Sequence, residues 1–215
     1  MTNFIPVFPI EVVVYPNESY RLHISNDNYK HLITDCYGEN KPFGIVPIIN
    51  NRLSETGTLV DIVEVAEVWE DGRMNVVVKG STVFKVLELI KSIPEKLYSG
   101  AIVSYLDNMT VSSPSIAQKV TGLLRQFHHL INYLPTTNKD DDQITSYDMA
   151  HTAGLSLQEE LELLELLFES QRLEYLRRHL IKTIPVLANI QSMLKRSAKT
   201  NDFKNHKGFD FEANQ

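Results

Sequence analysis

Apolar positions change period once along the chain, dividing it into a half that predicts strands and a half that predicts helices. Before residue 110, short β-branched runs recur between turn-forming residues, over 11–15, 43–49, 56–68, 74–78, 83–90 and 100–106. Runs of this length, rich in Val, Ile and Thr and bounded by Gly, Pro, Asn and Asp, read as strands, and six of them predict a small barrel or sandwich. Asp71-Gly72 stands between the third and fourth runs. Both residue types tolerate the positive φ angles of a tight hairpin, so these two runs are predicted to pair. One helix, over residues 27–37, interrupts the strands.

Around residues 107–114, Asp-Asn and Ser-Ser-Pro supply turn and helix-start chemistry. Ile116, Val120, Leu123, Leu124, Phe127, Leu130, Ile131 and Leu134 then fall on one helical stripe, behind a cap at Ser113 and a first-turn Pro114, and Pro135 ends the helix. A charged connection of Lys139, Asp140, Asp141 and Asp142 precedes a short helix over 147–152 that Gly154 terminates. Ser156-Leu157-Gln158-Glu159 fits a capping box, opening a helix that turns Leu157, Leu161, Leu164 and Phe168 inward. Leu173, Leu180, Leu187 and Leu194 then recur every seven residues, with Leu176 and Ile190 on the neighbouring row and Thr183 breaking it. Pro185 removes a hydrogen bond there, which predicts either a kinked helix or two helices meeting at Ile184-Pro185. The organisation expected is a β-rich part over 1–110, a helical part over 111–197, and a flexible polar tail over 198–215 that carries Phe203, Phe209 and Phe211.

With 215 residues and 43% hydrophobic content the chain can bury a sizeable core, so disorder is not expected. A formal net charge of -6 gives no general attraction to phosphate; nucleic acid or an anionic membrane would have to be met by a local patch. Cys36 is the sole cysteine and is read as a small core residue, which suits a reducing compartment. The apolar opening, residues 1–15, is interrupted by Pro6 and Pro9, charged by Glu11 and preceded by no basic segment, so it does not read as a signal peptide. No run of 18 apolar residues occurs, no transmembrane helix is predicted, and a cytoplasmic protein is expected.

Motifs that would carry chemistry are missing. No segment meets Gly-x-x-x-x-Gly-Lys-Ser/Thr; in Lys79-Gly80-Ser81-Thr82 the lysine precedes the glycine and a strand follows. Gly-x-Ser-x-Gly is absent too. His128 and His129 are adjacent, so on a helix they point about 100° apart and cannot chelate one metal as an i, i+4 pair would. Asp140 to Asp142 lacks the alternating ligands of a calcium loop, and Glu159, Glu160, Glu162 and Glu165 read as the wet face of a leucine-rich helix. No catalytic residue, metal or cofactor is predicted.

The opening Ile5-Pro6-Val7-Phe8-Pro9-Ile10, then Val13-Val14-Tyr15-Pro16, has a distinctive order of prolines and aromatics. Leu22-His23-Ile24, Tyr29, Phe43-Gly44-Ile45-Val46, Gly57-Thr58, Asp71-Gly72-Arg73, Gly80 with Phe84, and a leucine-rich segment closing on Arg172 follow in order. Together they resemble the N-terminal, substrate-binding domain of Lon proteases. The resemblance implies an α+β fold: a six-stranded, barrel-like, PUA-like part with one helix, followed by a helical bundle ending in a long helix. It implies a stand-alone, non-catalytic protein- or peptide-binding module without the ATPase and peptidase domains, an adaptor in protein quality control or proteolysis. The partners implied are unfolded or degron-bearing polypeptides and a protease or chaperone. Contacts are expected at aromatic residues that supply large area at low entropic cost: Tyr20, His23, Tyr37 and Trp69. One alternative is a PUA-like small-molecule or RNA-binding module, against which the acidic balance counts. Another is a homodimer through the Leu173 to Leu194 leucines, against packing of the same leucines within the chain. Ser25, Asn26, Asn28 and Val83 stand where the family commonly has phenylalanine, an acid and two arginines. A charge cluster is therefore expected to be lost as a unit, and no ligand contact that depends on it is carried over.

Overall fold

The computed structural model describes residues 2–111, 114–134, 139 and 143–205. Its first half forms β1 (Thr2–Ile10), β2 (Ser19–Ile24), α1 (Asp27–Glu39), β3 (Phe43–Ile49), β4 (Arg52–Leu53), β5 (Thr56–Val68), β6 (Met74–Ile90) and β7 (Gly100–Tyr105). Its second half forms α2 (Pro114–Ile131), α3 (Ser146–Ala150), α4 (Leu157–Glu165) and α5 (Glu169–Asn205). The fold is α+β as expected, with a mostly antiparallel sheet ordered β1-β7-β6-β5-β3-β4 and β2 added to β6. β1 pairs antiparallel with β7 through residues 2–6 and parallel with β3 through residues 7–10. The sheet thus curls into a barrel-like form that is not strictly closed, since no stretch of β1 belongs to both ladders. Pro6 and Pro9 lack amide donors, and a strand paired on one side at a time tolerates them.

Two strands differ from expectation. The run at 11–15 is irregular; Val13, Val14 and Tyr15 are apolar because they are buried, not because they pair. β1 lies ahead of them, across prolines that read as breakers, and β2 is a six-residue strand whose only β-branched residue is Ile24. β6 joins two predicted runs by passing straight through Gly80. β5 and β6 pair as expected, through a five-residue connection over residues 69–73. Trp69 N–H donates to the Arg73 carbonyl and Gly72 N–H to the Trp69 carbonyl, and Gly72 takes φ 78° while Asp71 stays out of the left-handed region.

Glycine is required where backbone and ring approach closely. A Cβ at Gly44 or Gly57 would lie 2.6 or 2.7 Å from the Phe84 ring, which packs over both strands. At Gly80 it would lie 2.1 Å from the Tyr15 carbonyl oxygen. Asn17 N–H donates to the Gly80 carbonyl and Gly80 N–H to the Glu18 carbonyl, so the segment leading into β2 is clamped onto β6.

Three apolar clusters hold the molecule. α1, capped by the Asn26 side chain, lays Leu32, Ile33 and Cys36 on Leu22, Ile24, Phe43, Val60 and Val76. Ile5, Val7, Val46, Phe84, Ala101 and Val103 form a second cluster within the sheet. The third gathers Leu124, Phe127, Leu161, Leu163, Leu164, Leu173, Leu176 and Leu180 with Val13, Tyr15 and Val83 of the β part. The two halves therefore share a core.

The capping box at Ser156 and Glu159 forms as expected, and a second one forms at Thr145 and Asp148. Leu163 is fully buried, whereas Phe168 is 51% exposed, because α4 stops at Glu165 and the helical phase that would bury Phe168 ends with it. α5 is one continuous helix through Pro185, which lies on its exposed side where water can reach the carbonyl left without a donor. It reaches Asn205, so helical backbone extends into the first residues of the stretch expected as a tail from 198 onward. Ser113, Pro135, Asp140 to Asp142, Phe209 and Phe211 lie outside the described residues.

Arg172, fully buried, binds the helical part to the end of the sheet. Its Nε donates to Ser146 Oγ (2.9 Å) and Glu169 Oε2 (3.1 Å), Nη1 to Asn108 Oδ1 and the Leu166 carbonyl (both 2.7 Å), and Nη2 to the Met109 carbonyl (2.9 Å) and Glu169 Oε2 (2.8 Å). The guanidinium lies 4.3 Å from the Tyr147 ring centre, and Tyr147 stacks on Tyr15 at 4.9 Å.

Two substitutions test this construction by denaturant unfolding. Gly80→Ala is expected to destabilise the fold by about 1–3 kcal/mol, as overpacking against backbone does. Arg172→Leu leaves Glu169 charged and buried, and is expected to cost about 3–5 kcal/mol; an unchanged midpoint would show that the node carries no weight.

Candidate functional site: an exposed sheet extension

β5 and β6 are longer than the barrel-like part needs. β3 pairs with β5 only up to Val60, and residues 74–79 of β6 lie between β5 and β2, so β2, β6 and β5 continue as a three-stranded extension. On its exposed face Glu67, Asn75 and His23 stand side by side across the three strands. Asn75 Nδ2 donates to Glu67 Oε2 (2.6 Å), and its Oδ1 accepts from the His23 ring at Nδ1 (3.0 Å). Trp69, at the hairpin tip, meets the His23 ring edge-on with 5.8 Å between centres, and the Arg73 guanidinium sits 5.7 Å from the indole centre. Arg73 is held by Asp71 (2.6 Å), whose carboxyl is kept below its usual range by hydrogen bonds from the Arg73 amide and side chain. Lys30 of α1 donates to the Asp71 carbonyl (3.2 Å), which braces the tip.

Of the four expected contact residues, the structure brings His23 and Trp69 together. Tyr20 is on β2 but on the side of Leu22 and Ile24, half-buried against the α1 core. Tyr37 is 57% exposed on α1 and makes no ring contact with the other three. The positions expected to have lost a charge cluster do not share surroundings. Asn26 and Asn28 are exposed at the head of α1, whereas Val83 is fully buried in the core shared with the helices. Apolar packing explains valine at 83 without reference to 26 and 28.

The remaining polar groups serve the fold. His128 is buried with its ring nitrogen 2.9 Å from the Thr152 carbonyl, while His129 is exposed, so the pair does diverge. Cys36 is buried, and burial pushes its thiol up to about 12. Asp35 accepts from Lys96 and Tyr98 (both 2.7 Å), chiefly the lysine holding its carboxyl below the usual range. The acids of α4 are more than a wet face: Glu160 binds His151, Glu162 accepts from the Tyr175 hydroxyl and Glu165 from the Thr56 hydroxyl. A cavity of about 820 Å³ between α4 and α5 is lined by Leu166, Tyr175 and Ile181, and its Arg177 and Arg178 are both paired with Glu174. Among the described residues no group of three or more His, Cys, Asp and Glu could hold a metal ion, and no helix is long and apolar enough to cross a membrane.

Sequence reasoning missed two groups at the seam between the halves. The acid partner of Arg172 had no signal beyond its i, i+3 spacing from Glu169. His151 lies between Glu160 Oε1 (2.8 Å) and Glu18 Oε1 (3.2 Å), residues far apart in the chain. Burial by itself would depress this imidazole, but the hydrogen bonds to Glu160 and Glu18 outweigh it and hold its pKa up to about 10.

A partly open, mostly antiparallel barrel that shares its core with a helical bundle ending in a long helix is the architecture of Lon N-terminal domains. The Lon N-terminal domain protein from Xanthomonas campestris superposes with a TM-score of 0.64 at 24% identity, covering 81% of this chain and 96% of that one. The N-terminal domain of the Mycobacterium avium complex Lon protease superposes with a TM-score of 0.59 at 16% identity, covering 83% and 98%. Residues 5–182 match the model of the ATP-dependent protease La (LON) substrate-binding domain, and the chain belongs to that family. No curated protein sequence matches it significantly.

His151 gives the seam a pH dependence. Its pKa is raised in the folded state, so its contribution is complete below the unfolded value near 6.5 and is lost as pH rises through about 10. Unfolding midpoints are expected to fall across that window in the wild type and to fall less in His151→Gln; parallel pH profiles would dismiss the clamp.

Proposed function

We propose that this chain is a substrate-recognition module that binds unfolded or degron-bearing polypeptide on the exposed face of the β2–β6–β5 extension and performs no chemistry of its own. The observation that carries the reading is the exposed Trp69–His23 pair, with Arg73 beside the indole, at a braced hairpin tip. Aromatic and arginine side chains of this kind supply most of the binding energy where proteins meet. Family membership supports the same role, since the family is described by substrate binding. The finer role we propose is that of an adaptor that presents polypeptide to a separate protease or chaperone, with Tyr20 at the border of the contact and Tyr37 outside it.

The other readings find less support. Asp61, Glu64 and Glu67 lie on the extension with Arg21 and Lys79, a mixture that offers RNA no continuous basic track. Leu173, Leu176 and Leu180 are buried in the chain's own core and Leu187 packs against it, which leaves Ile190 and Leu194 of that seam exposed.

Trp69 is the sole tryptophan, so its emission reports on this face directly. Titrating the purified protein with members of an array of extended apolar peptides is expected to shift that emission at micromolar concentration. Trp69→Ala is expected to weaken binding of a labelled peptide about tenfold, roughly 1.4 kcal/mol. Peptides that bind equally well to both proteins would remove the extension from the site.

A further inference from the structure

We infer that polypeptide docks on the unpaired edge of β2 as an added strand; this rests on the polypeptide-binding reading above and specifies how that binding is made. The extension has two outer edges, and they differ in kind. Along β5, beyond Val60, the register with β6 shifts between Ile62 and Glu64 and again between Val65 and Glu67, and Asp61, Glu64 and Glu67 are exposed. Bulges and charges on an edge are what folded proteins use to prevent further pairing. β2 carries neither. Its six residues, Ser-Tyr-Arg-Leu-His-Ile, keep unbroken register with β6 and include no proline, glycine or acid. Among the described residues no other segment makes a backbone hydrogen bond to its outer side. An edge strand in this state presents backbone donors and acceptors to whatever extended chain arrives, over about 20 Å for six residues.

The side chains flanking that edge define the occupant. On one side of the β2 plane stand Arg21 and His23, with Trp69 against His23; on the other Tyr20 is half-buried above Leu22. An added strand alternates its own side chains between these two sides. The ligand class is therefore an extended segment whose residues alternate between acidic or aromatic, facing Arg21, His23 and Trp69, and apolar, facing Tyr20. The edge is preformed: Glu18 accepts from the Tyr15 amide, and the clamp at Gly80 fixes the chain one residue before β2 begins. Holding the edge in its bound geometry beforehand removes part of the ordering cost of association.

The test modifies the peptide, so the fold of the protein is not disturbed. A binding peptide is made in two further forms, N-methylated on alternate residues, so that one form has lost the amides facing β2 and the other the amides facing away. The expected result is a loss of at least tenfold in affinity for one form and little change for the other, measured by anisotropy on the wild-type protein. If both forms bind as the parent does, strand addition is overturned while polypeptide binding stands. If no peptide binds at all, both fall together. If sedimentation shows a dimer that peptide does not dissociate, and Arg21→Glu renders it monomeric, the edge belongs to a second copy and the proposal is likewise overturned.

Discussion

A charged side chain with no access to water holds this molecule in one arrangement. Each of the five N–H groups of Arg172 has an acceptor, contributed by the chain leaving β7 (Asn108, Met109), the start of α3 (Ser146), the end of α4 (Leu166) and the first turn of α5 (Glu169). Apolar packing alone would tolerate small shifts of these four pieces against one another. A planar group with directed donors does not, because any shift leaves a buried donor unmatched at about 1–3 kcal/mol. Buried ion pairs contribute little net stability compared with apolar replacements, so the value of this one lies in specifying position.

That position matters because the extension is packed on one face alone, where α1 covers Leu22, Ile24 and Val76, and its other face is exposed. Its alignment is inherited from β6, which passes Gly80 under the Tyr15 carbonyl and then buries Val83 among the helices. Tyr15 in turn stacks on Tyr147, the ring that carries Arg172, and its hydroxyl donates to the Glu160 carbonyl (3.0 Å). Node, tyrosine pair, glycine contact and exposed strand thus form one connected path of packed groups.

Much of the fold was legible in the chain. β3 and β5 coincide with their apolar runs, β6 contains two of them, and the capping box at Ser156 opens α4 where serine and glutamate are spaced for it. The failures have common causes. β1 was hidden by prolines that matter only in a strand with two sides to satisfy, and residues 11–15 looked like a strand because burial without pairing has the same composition. Phe168 pointed inward only on a helix longer than the one that forms. For the site, the aromatic character of His23 and Trp69 was visible, but their meeting depends on β2 pairing with β6 across fifty residues, which no local pattern encodes. Arg172 was visible as the last residue of a family motif; its burial was not.

The direction of β2 relative to the rest of the sheet has a mechanical consequence. A chain added to this edge in the way proposed could be pulled either along β2 or away from the sheet, and along β2 its ends would be drawn parallel to the strand. All its hydrogen bonds would then bear the load together in shear, whereas a chain pulled away from the sheet would unzip them one at a time. Grip on such an edge would depend on the direction of pull, firm along the strand and weak across it.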